Sequence, residues 1–318
     1  MATNVEQNEI FAHSKLIIMK KITVYAATAL LILSSHANAK QSARDSHYIN
    51  EAPNDTLLTQ NGYSEVNGIH MYYEIYGEGK PIVLIHGAFM TINTNFADLI
   101  PELSKSRKVI ALELQGHGRT ADIDRPLSAE ALSDDVAALL QYLKIESADI
   151  FGYSLGGVVA LQMGIRHLQM VRRLIVVSAV YKSDGWSPQT RTVFPMLKPE
   201  FFTGTPIKKA YDSLAPDPKN FPELVNKIKI MTTTPFDFTD EKIKSIKCPV
   251  LIMIADGDGV LPEHALTMYR LLGGDYMVDF RPVHKTQLAI FPGSSHISVM
   301  MHPDWMLPMM GTFLDAKM

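Results

Sequence analysis

Short apolar runs, most of them closing on a glycine or a polar turn, recur along this chain and leave little choice of fold. Pro81–Ile85 runs into His86-Gly87, and Val109–Leu114 into Gly116-His117-Gly118. Ala148–Phe151, Leu174–Val177, Val250–Ile254 and Gln287–Phe291 repeat the pattern. Stretches so short and so continuously apolar suit strands covered on both faces, as in a parallel sheet. Helical patterns separate them. Ser128 opens one in which Leu132, Val136, Leu139, Leu140 and Leu143 recur at three and four spacing, with Glu130, Asp134 and Asp135 in its N-terminal half. Leu155–His167 forms another. Upstream, Tyr63–Val66 and His70–Tyr76 flank Asn67-Gly68 and read as a hairpin. The alternation predicts an α/β fold built on a doubly wound, mostly parallel sheet.

One connection breaks the rhythm. Between the fourth and fifth runs lie about seventy residues, where two to six are usual. Residues 181–245 hold prolines 188, 195, 199, 206, 216, 218, 222 and 235, which forbid a central strand. They also hold Trp186, Phe194, Phe201, Phe202, Tyr211, Phe221, Phe236 and Phe238, too many aromatics for a solvated linker. The segment therefore reads as a helical cap inserted late in the sheet. The core is then 62–180 with 246–318, and the polar stretch 40–61 is a linker.

The first 39 residues read as a leader. Met19-Lys20-Lys21 precedes the uncharged run Ile22–Leu33, and Ala37-Asn38-Ala39 supplies a cleavage signature, so a signal peptide spans about 19–39. A twelve-residue helix rises only ~18 Å, short of a ~30 Å hydrocarbon core, so no stable membrane anchor is expected. No cysteine near Ala39 allows a lipoprotein. The protein is expected to be exported, to the periplasm or beyond. Net charge of −3 supplies no basic face for nucleic acid. The single cysteine, Cys248, excludes an internal disulfide and every multi-cysteine metal pattern; beside Pro249 it reads as an inert buried thiol.

The chemistry starts at Gly152-Tyr153-Ser154-Leu155-Gly156-Gly157, which joins a strand to a helix. So abrupt a turn strains the backbone at the serine, lifts its hydroxyl clear of the sheet, and needs glycine where the chains pass. The helix opening at Leu155 aims unpaired N–H groups at the same place. A serine hydroxyl needs a base, and the base an orienting acid. Asp256-Gly257-Asp258-Gly259-Val260-Leu261-Pro262 follows the fifth run, and Pro292-Gly293-Ser294-Ser295-His296 the sixth. Both read as loops at carboxyl strand ends, where open α/β sheets carry their sites.

With the order Ser…Asp…His, the chain resembles the α/β-hydrolase fold family, in its serine esterase and lipase-like branch, from about residue 63 to 315. The resemblance implies Ser154 as nucleophile, His296 as general base and Asp258 as orienting acid. Asp258 is preferred to Asp256 because it stands four residues before Pro262; Ala255 departs from the glycine often found three places before that acid. His284 and His302 are rivals of His296. His117 and His86 read as loop-shaping, and His167 and His264 as surface residues. His86-Gly87-Ala88-Phe89 matches the family's oxyanion loop, which assigns the donors to the N–H groups of Ala88 and Leu155, with Phe89 as the alternative to Ala88. The resemblance implies no cofactor and no metal.

The implied function is hydrolysis of small to medium carboxylic esters through an acyl-enzyme, with a small-molecule ester as the partner. Acyl transfer, perhydrolysis or C–C bond hydrolysis by the same triad is the alternative, and a non-catalytic binding protein a third. Phe89, Tyr153, Trp186 and Phe194 are the expected substrate contacts; Trp186, Phe194, Phe201 and Phe202 serve equally as cap core. Met300, Met301, Met306, Met309 and Met310 read as core filler or as a flexible substrate wall.

Overall fold

The structure, a computed structural model, describes residues 57–317 apart from 275, 280–282 and 284. The leader and most of the linker lie outside the described residues. Eight strands form one sheet: β1 (Leu58–Val66), β2 (Ile69–Tyr76), β3 (Lys80–Ile85), β4 (Arg107–Leu112), β5 (Ala148–Tyr153), β6 (Val171–Val177), β7 (Val250–Gly257) and β8 (Thr286–Ser295). Their spatial order is β1-β2-β4-β3-β5-β6-β7-β8. β2 runs antiparallel to β1 and β4, and every pairing from β4 to β8 is parallel. The helices are α1 (Ile92–Phe96), α2 (Ile100–Leu103), α3 (Ala129–Tyr142), α4 (Leu155–Arg166), α5 (Pro188–Val193), α6 (Pro206–Leu214), α7 (Phe221–Thr233), α8 (Asp240–Ser245), α9 (Pro262–Leu271) and α10 (Pro303–Asp315).

Alternation along each strand explains the unbroken apolar runs. Ile82 and Leu84 face a core shared with α1, α2 and α10, while Val83 and Ile85 face one shared with α3 and α4. All four are fully buried, each worth ~1.5–3 kcal/mol. The helix opened at Ser128 starts as expected, with the Ala131 N–H donating to the Ser128 hydroxyl. Asn67 and Gly68 both take positive φ, 48° and 83°, as the predicted hairpin turn requires.

Two boundaries differ from expectation. β1 begins at Leu58, inside the expected linker. An edge strand pairs through its main chain and needs no apolar pattern, and Thr59, Gln60 and Asn61 are exposed. Pro292 to Ser295 continue β8 instead of forming a loop, since Gly257 pairs with Ser295. Asp256 holds that extension: its carboxylate accepts from the Gly293 and Ser294 N–H groups at 2.9 and 3.1 Å. Near the two ends of the helical segment between β6 and β7, Lys182 and Asp237 pair in an antiparallel bridge. Beyond it α8 packs against α4 and α9.

In the cap, Ser187 and Thr205 cap α5 and α6, each with proline at the first helical position, so the prolines that exclude strands start helices instead. Its first segment is stitched to the loop after β7. Trp186 bridges Val260, the Ser187 N–H donates to the Gly259 carbonyl at 2.8 Å, and the Leu261 N–H donates to the Gly185 carbonyl at 2.8 Å.

Candidate active site

β5 runs straight to Tyr153, and the chain breaks direction at Ser154, whose φ of 53° and ψ of −114° lie outside the conformations L residues favour. Such a residue stores ~1–3 kcal/mol and persists because its surroundings hold it. The Ser154 N–H donates to the Val177 carbonyl at 2.8 Å, and the Ser154 carbonyl accepts from Val158 at 3.1 Å. The flanking glycines are required by space. A Cβ on Gly152 would lie 2.0 Å from the Gly156 carbonyl oxygen, and one on Gly156 would lie 2.1 Å from that of Ile85.

The site collects the carboxyl ends of four strands. Ser154 follows β5, Asp258 follows β7, His296 follows β8, and His86-Gly87-Ala88 follows β3. His296 Nε2 stands 2.9 Å from Ser154 Oγ across 142 positions of sequence. His296 Nδ1 stands 2.7 Å from Asp258 Oδ1. With the proton on Nδ1, the ring donates to Asp258 and accepts from the serine hydroxyl. Of the two candidate acids the structure brings Asp258 to the histidine and leaves Asp256 exposed.

Ser178, which sequence reasoning missed, completes the acid. It follows β6, takes a φ of 51°, and its hydroxyl donates to Asp258 Oδ2 at 2.5 Å. The N–H groups of Val260 and Ala255 add bonds at 3.0 and 3.3 Å. Burial works against the charged carboxylate, but the His296 contact, Ser178 and the Val260 N–H outweigh it and hold Asp258 below the usual carboxylate range. A polar residue directly after an apolar strand at the site's edge was the available signal.

The oxyanion loop is shaped by buried groups. His86 Nδ1 lies 2.7 Å from the Gly87 carbonyl, and the Leu114 N–H donates to His86 Nε2 at 3.1 Å. Burial pushes this ring down to about 3, so it stays neutral, in keeping with a loop-shaping role. Asn95, also missed, accepts from the Gly87 N–H at 2.8 Å. The Met90 N–H closes a turn onto the Gly87 carbonyl through Phe89, whose φ is 65°. Among the described residues, the N–H groups of Ala88 and Leu155 donate to no protein acceptor.

Of the expected substrate contacts, Trp186 meets the His296 ring edge-on at 5.7 Å and Phe194 meets Trp186 at 5.4 Å. Phe89 packs on Phe202 at 4.7 Å. Tyr153 is a correction. It is buried among the core side chains, its ring 5.5 Å from that of His296, and its hydroxyl donates to the His296 carbonyl at 2.8 Å. A residue one place from a lifted serine points the opposite way, into the sheet's cover.

His264 is likewise not a surface residue. It is buried, stacks on Tyr181 at 4.5 Å, and accepts from the Tyr181 N–H at 3.1 Å. His302 stacks on Trp305, and His284 lies outside the described residues. Met306 and Met310 are fully buried in the core under the sheet, so they fill space and form no substrate wall. Burial pushes the Cys248 thiol up to about 12, which leaves it inert.

A family model described as the alpha/beta hydrolase family matches residues 82–308. The chain is an alpha/beta hydrolase. This hydrolase is 37% identical over 118 residues to a 2-hydroxymuconate semialdehyde hydrolase of a Pseudomonas species, covering 35% of the chain and 41% of that relative. The chain therefore spans about two fifths of that relative's length. Among solved structures, the alpha/beta hydrolase is similar to a meta-cleavage product hydrolase of Pseudomonas fluorescens, with a TM-score of 0.61 and 22% identity over 81% of this chain and 98% of that one. It is also similar to an enol-lactonase of Burkholderia xenovorans, with a TM-score of 0.62 and 20% identity over 80% of this chain and 100% of that one. At these identities the two likenesses are of fold.

Proposed function

We propose that this alpha/beta hydrolase is a serine esterase acting on small to medium carboxylic esters. The observation that carries the reading is the hydrogen-bonded line from Asp258 through His296 to Ser154, at 2.7 and 2.9 Å. Ser154 Oγ attacks the ester carbonyl while His296 Nε2 takes its proton. The resulting oxyanion is held by the Ala88 and Leu155 N–H groups, each donor worth about 3 kcal/mol in such a hole. Asp258 stabilises the imidazolium through Nδ1. His296 then protonates the leaving alcohol, and an acyl-enzyme remains. Water, deprotonated by His296, attacks the acyl carbon and releases the acid. Trp186 beside the base, with Phe194 packed on it and Phe89 on the oxyanion loop, gives the substrate apolar walls.

The 37% identity to a 2-hydroxymuconate semialdehyde hydrolase favours a second reading, C–C bond hydrolysis by the same triad. A muconate substrate is a carboxylate and calls for a cation to receive it. Cap charge does not decide between the readings: Lys182, Arg191, Lys208 and Lys227 pair with Asp240, Asp184, Asp212 and Asp122, whereas Lys198, Lys209, Lys219 and Lys229 pair with no carboxylate among the described residues. The rings beside His296 are uncharged. An uncharged ester is the better match.

Hydrolysis of p-nitrophenyl acetate, butyrate and octanoate by wild type and by Ser154→Ala tests the proposal. Wild-type turnover reduced at least about a thousandfold in the variant supports it. Equal rates eliminate it. Export through the leader over 19–39 is part of the proposal, and a mature N-terminus at Lys40 is its check.

A further inference from the structure

His296 sits between the last β8 pairing, Ser295 with Gly257, and the buried Val299 and Met300. It follows the last residue of β8, and its neighbour Ile297 is exposed. The Ser295 N–H donates to the Ser298 hydroxyl at 2.8 Å, and the Ser298 N–H donates back to the Ser295 hydroxyl at 3.1 Å. These bonds close the turn on itself and do not fasten it to the core. The hydrogen bond that fastens the His296 carbonyl to the core comes from Tyr153, whose hydroxyl reaches it at 2.8 Å across 143 positions.

The same side chain braces a second part of the site. A Cβ on Gly87 would lie 2.8 Å from the Tyr153 ring, so the oxyanion loop rests directly on that ring. Tyr153 is also the residue that precedes Ser154, and its backbone is locked in β5. One rigid side chain thus touches the loop of the oxyanion donors and the main chain of the base, while its own backbone carries the nucleophile. Packing alone does not call for the hydroxyl: phenylalanine would fill the same core. Burial keeps the group far above the ordinary tyrosine range, so it remains a donor at any working pH.

We infer that Tyr153 is a positioning residue that sets the distance between base, nucleophile and oxyanion donors by anchoring the His296 main chain and supporting Gly87. The inference rests on the proposed roles of Ser154 and His296. The bond joins a buried hydroxyl to the carbonyl of the half-buried His296, and displacements near 1 Å in such a constellation cost ~100-fold in rate. Loss of this one anchor, with the ring retained, is expected to loosen the loop by less.

The test is Tyr153→Phe, read with a fluorophosphonate probe, which reports the reactivity of Ser154 whatever the natural substrate is. Labelling of the variant about tenfold slower than wild type is expected. For p-nitrophenyl butyrate, kcat should fall with KM within about twofold, and amide exchange over 296–298 should quicken. A role in packing alone would leave the kcat-to-KM split untouched. Labelling and exchange at wild-type values overturn the inference. Wild type that fails to label at Ser154 overturns the functional reading instead, and the exchange measurement alone then decides whether Tyr153 anchors the loop.

Discussion

At the scale of single residues, the acid, base and nucleophile are joined by hydrogen bonds, while the Ala88 and Leu155 N–H groups beside them have no protein acceptor. Asp258 accepts from His296, Ser178, Val260 and Ala255 at once. Removing one donor leaves the carboxylate more basic, so it binds its own proton at higher pH and stabilises the imidazolium more. Ser178→Ala is therefore expected to move the acid limb of the kcat/KM profile upward by about half a unit, with less than a tenfold loss of rate. Profiles between pH 4 and 8 check this. A limb that stays in place, or moves down, removes Ser178 from the mechanism. The serine, the histidine and the preferred acid were legible because each lies in a glycine-rich turn after an apolar run. Ser178, Asn95 and the Tyr153 hydroxyl were not, because their roles depend on which strand ends become neighbours in space.

At the scale of elements, a largely enclosed lysine adds a side-chain tie between cap and core to the main-chain contacts around Trp186. Lys227 of α7 donates to the Asp122 carboxylate at 2.7 Å and to the carbonyls of Ile123 and Arg125 at 2.6 and 3.1 Å. Both charged side chains are 12% exposed, so breaking the pair strands a carboxylate in a poorly solvated place. Lys227→Met is expected to destabilise the fold by about 3 kcal/mol. Adding Asp122→Leu should recover much of that, because the stranded charge goes too. Denaturant unfolding of the two single variants and the double variant decides it. Strictly additive losses would mean that the pair does not couple the cap to the core. Patterning predicted the strands best where both faces are covered, as in β3. It failed at β1 and at the far end of β8, where exposed residues pair through main-chain bonds alone.

For the whole molecule, buried neutral histidines set the response to acid. Burial pushes His86 down from 6.5 to about 3, and His117 and His264 down to about 4. Between pH 6.5 and about 4 the unfolded chain binds protons that the folded chain does not, so stability falls as pH drops through that window. Glu113 opposes them: burial pushes its carboxyl up from 4.5 to about 7, so its protonation favours the folded state as pH falls from 7 to 4.5. Three groups outweigh one. The thermal midpoint is expected to decline steadily below pH 6.5, and His264→Gln should reduce that decline by about a third. An unchanged slope in the variant would show that His264 charges without cost.

What the chain's order of residues determined is local or periodic. Apolar runs covered on both faces dictated a parallel sheet, prolines and aromatics dictated a cap, and glycines too close to their neighbours for a Cβ dictated the strained turn at Ser154. Side-chain period and steric exclusion act within a few residues, so they can be read along the chain. The tertiary structure brought the already preferred Asp258 to His296, and it alone decided that Ser178 completes the acid and that Tyr153 turns inward to hold the base. Those contacts join residues 38, 80 and 143 positions apart. They follow from the order in which the strands lie side by side, and hydrogen bonds reach only about 3 Å.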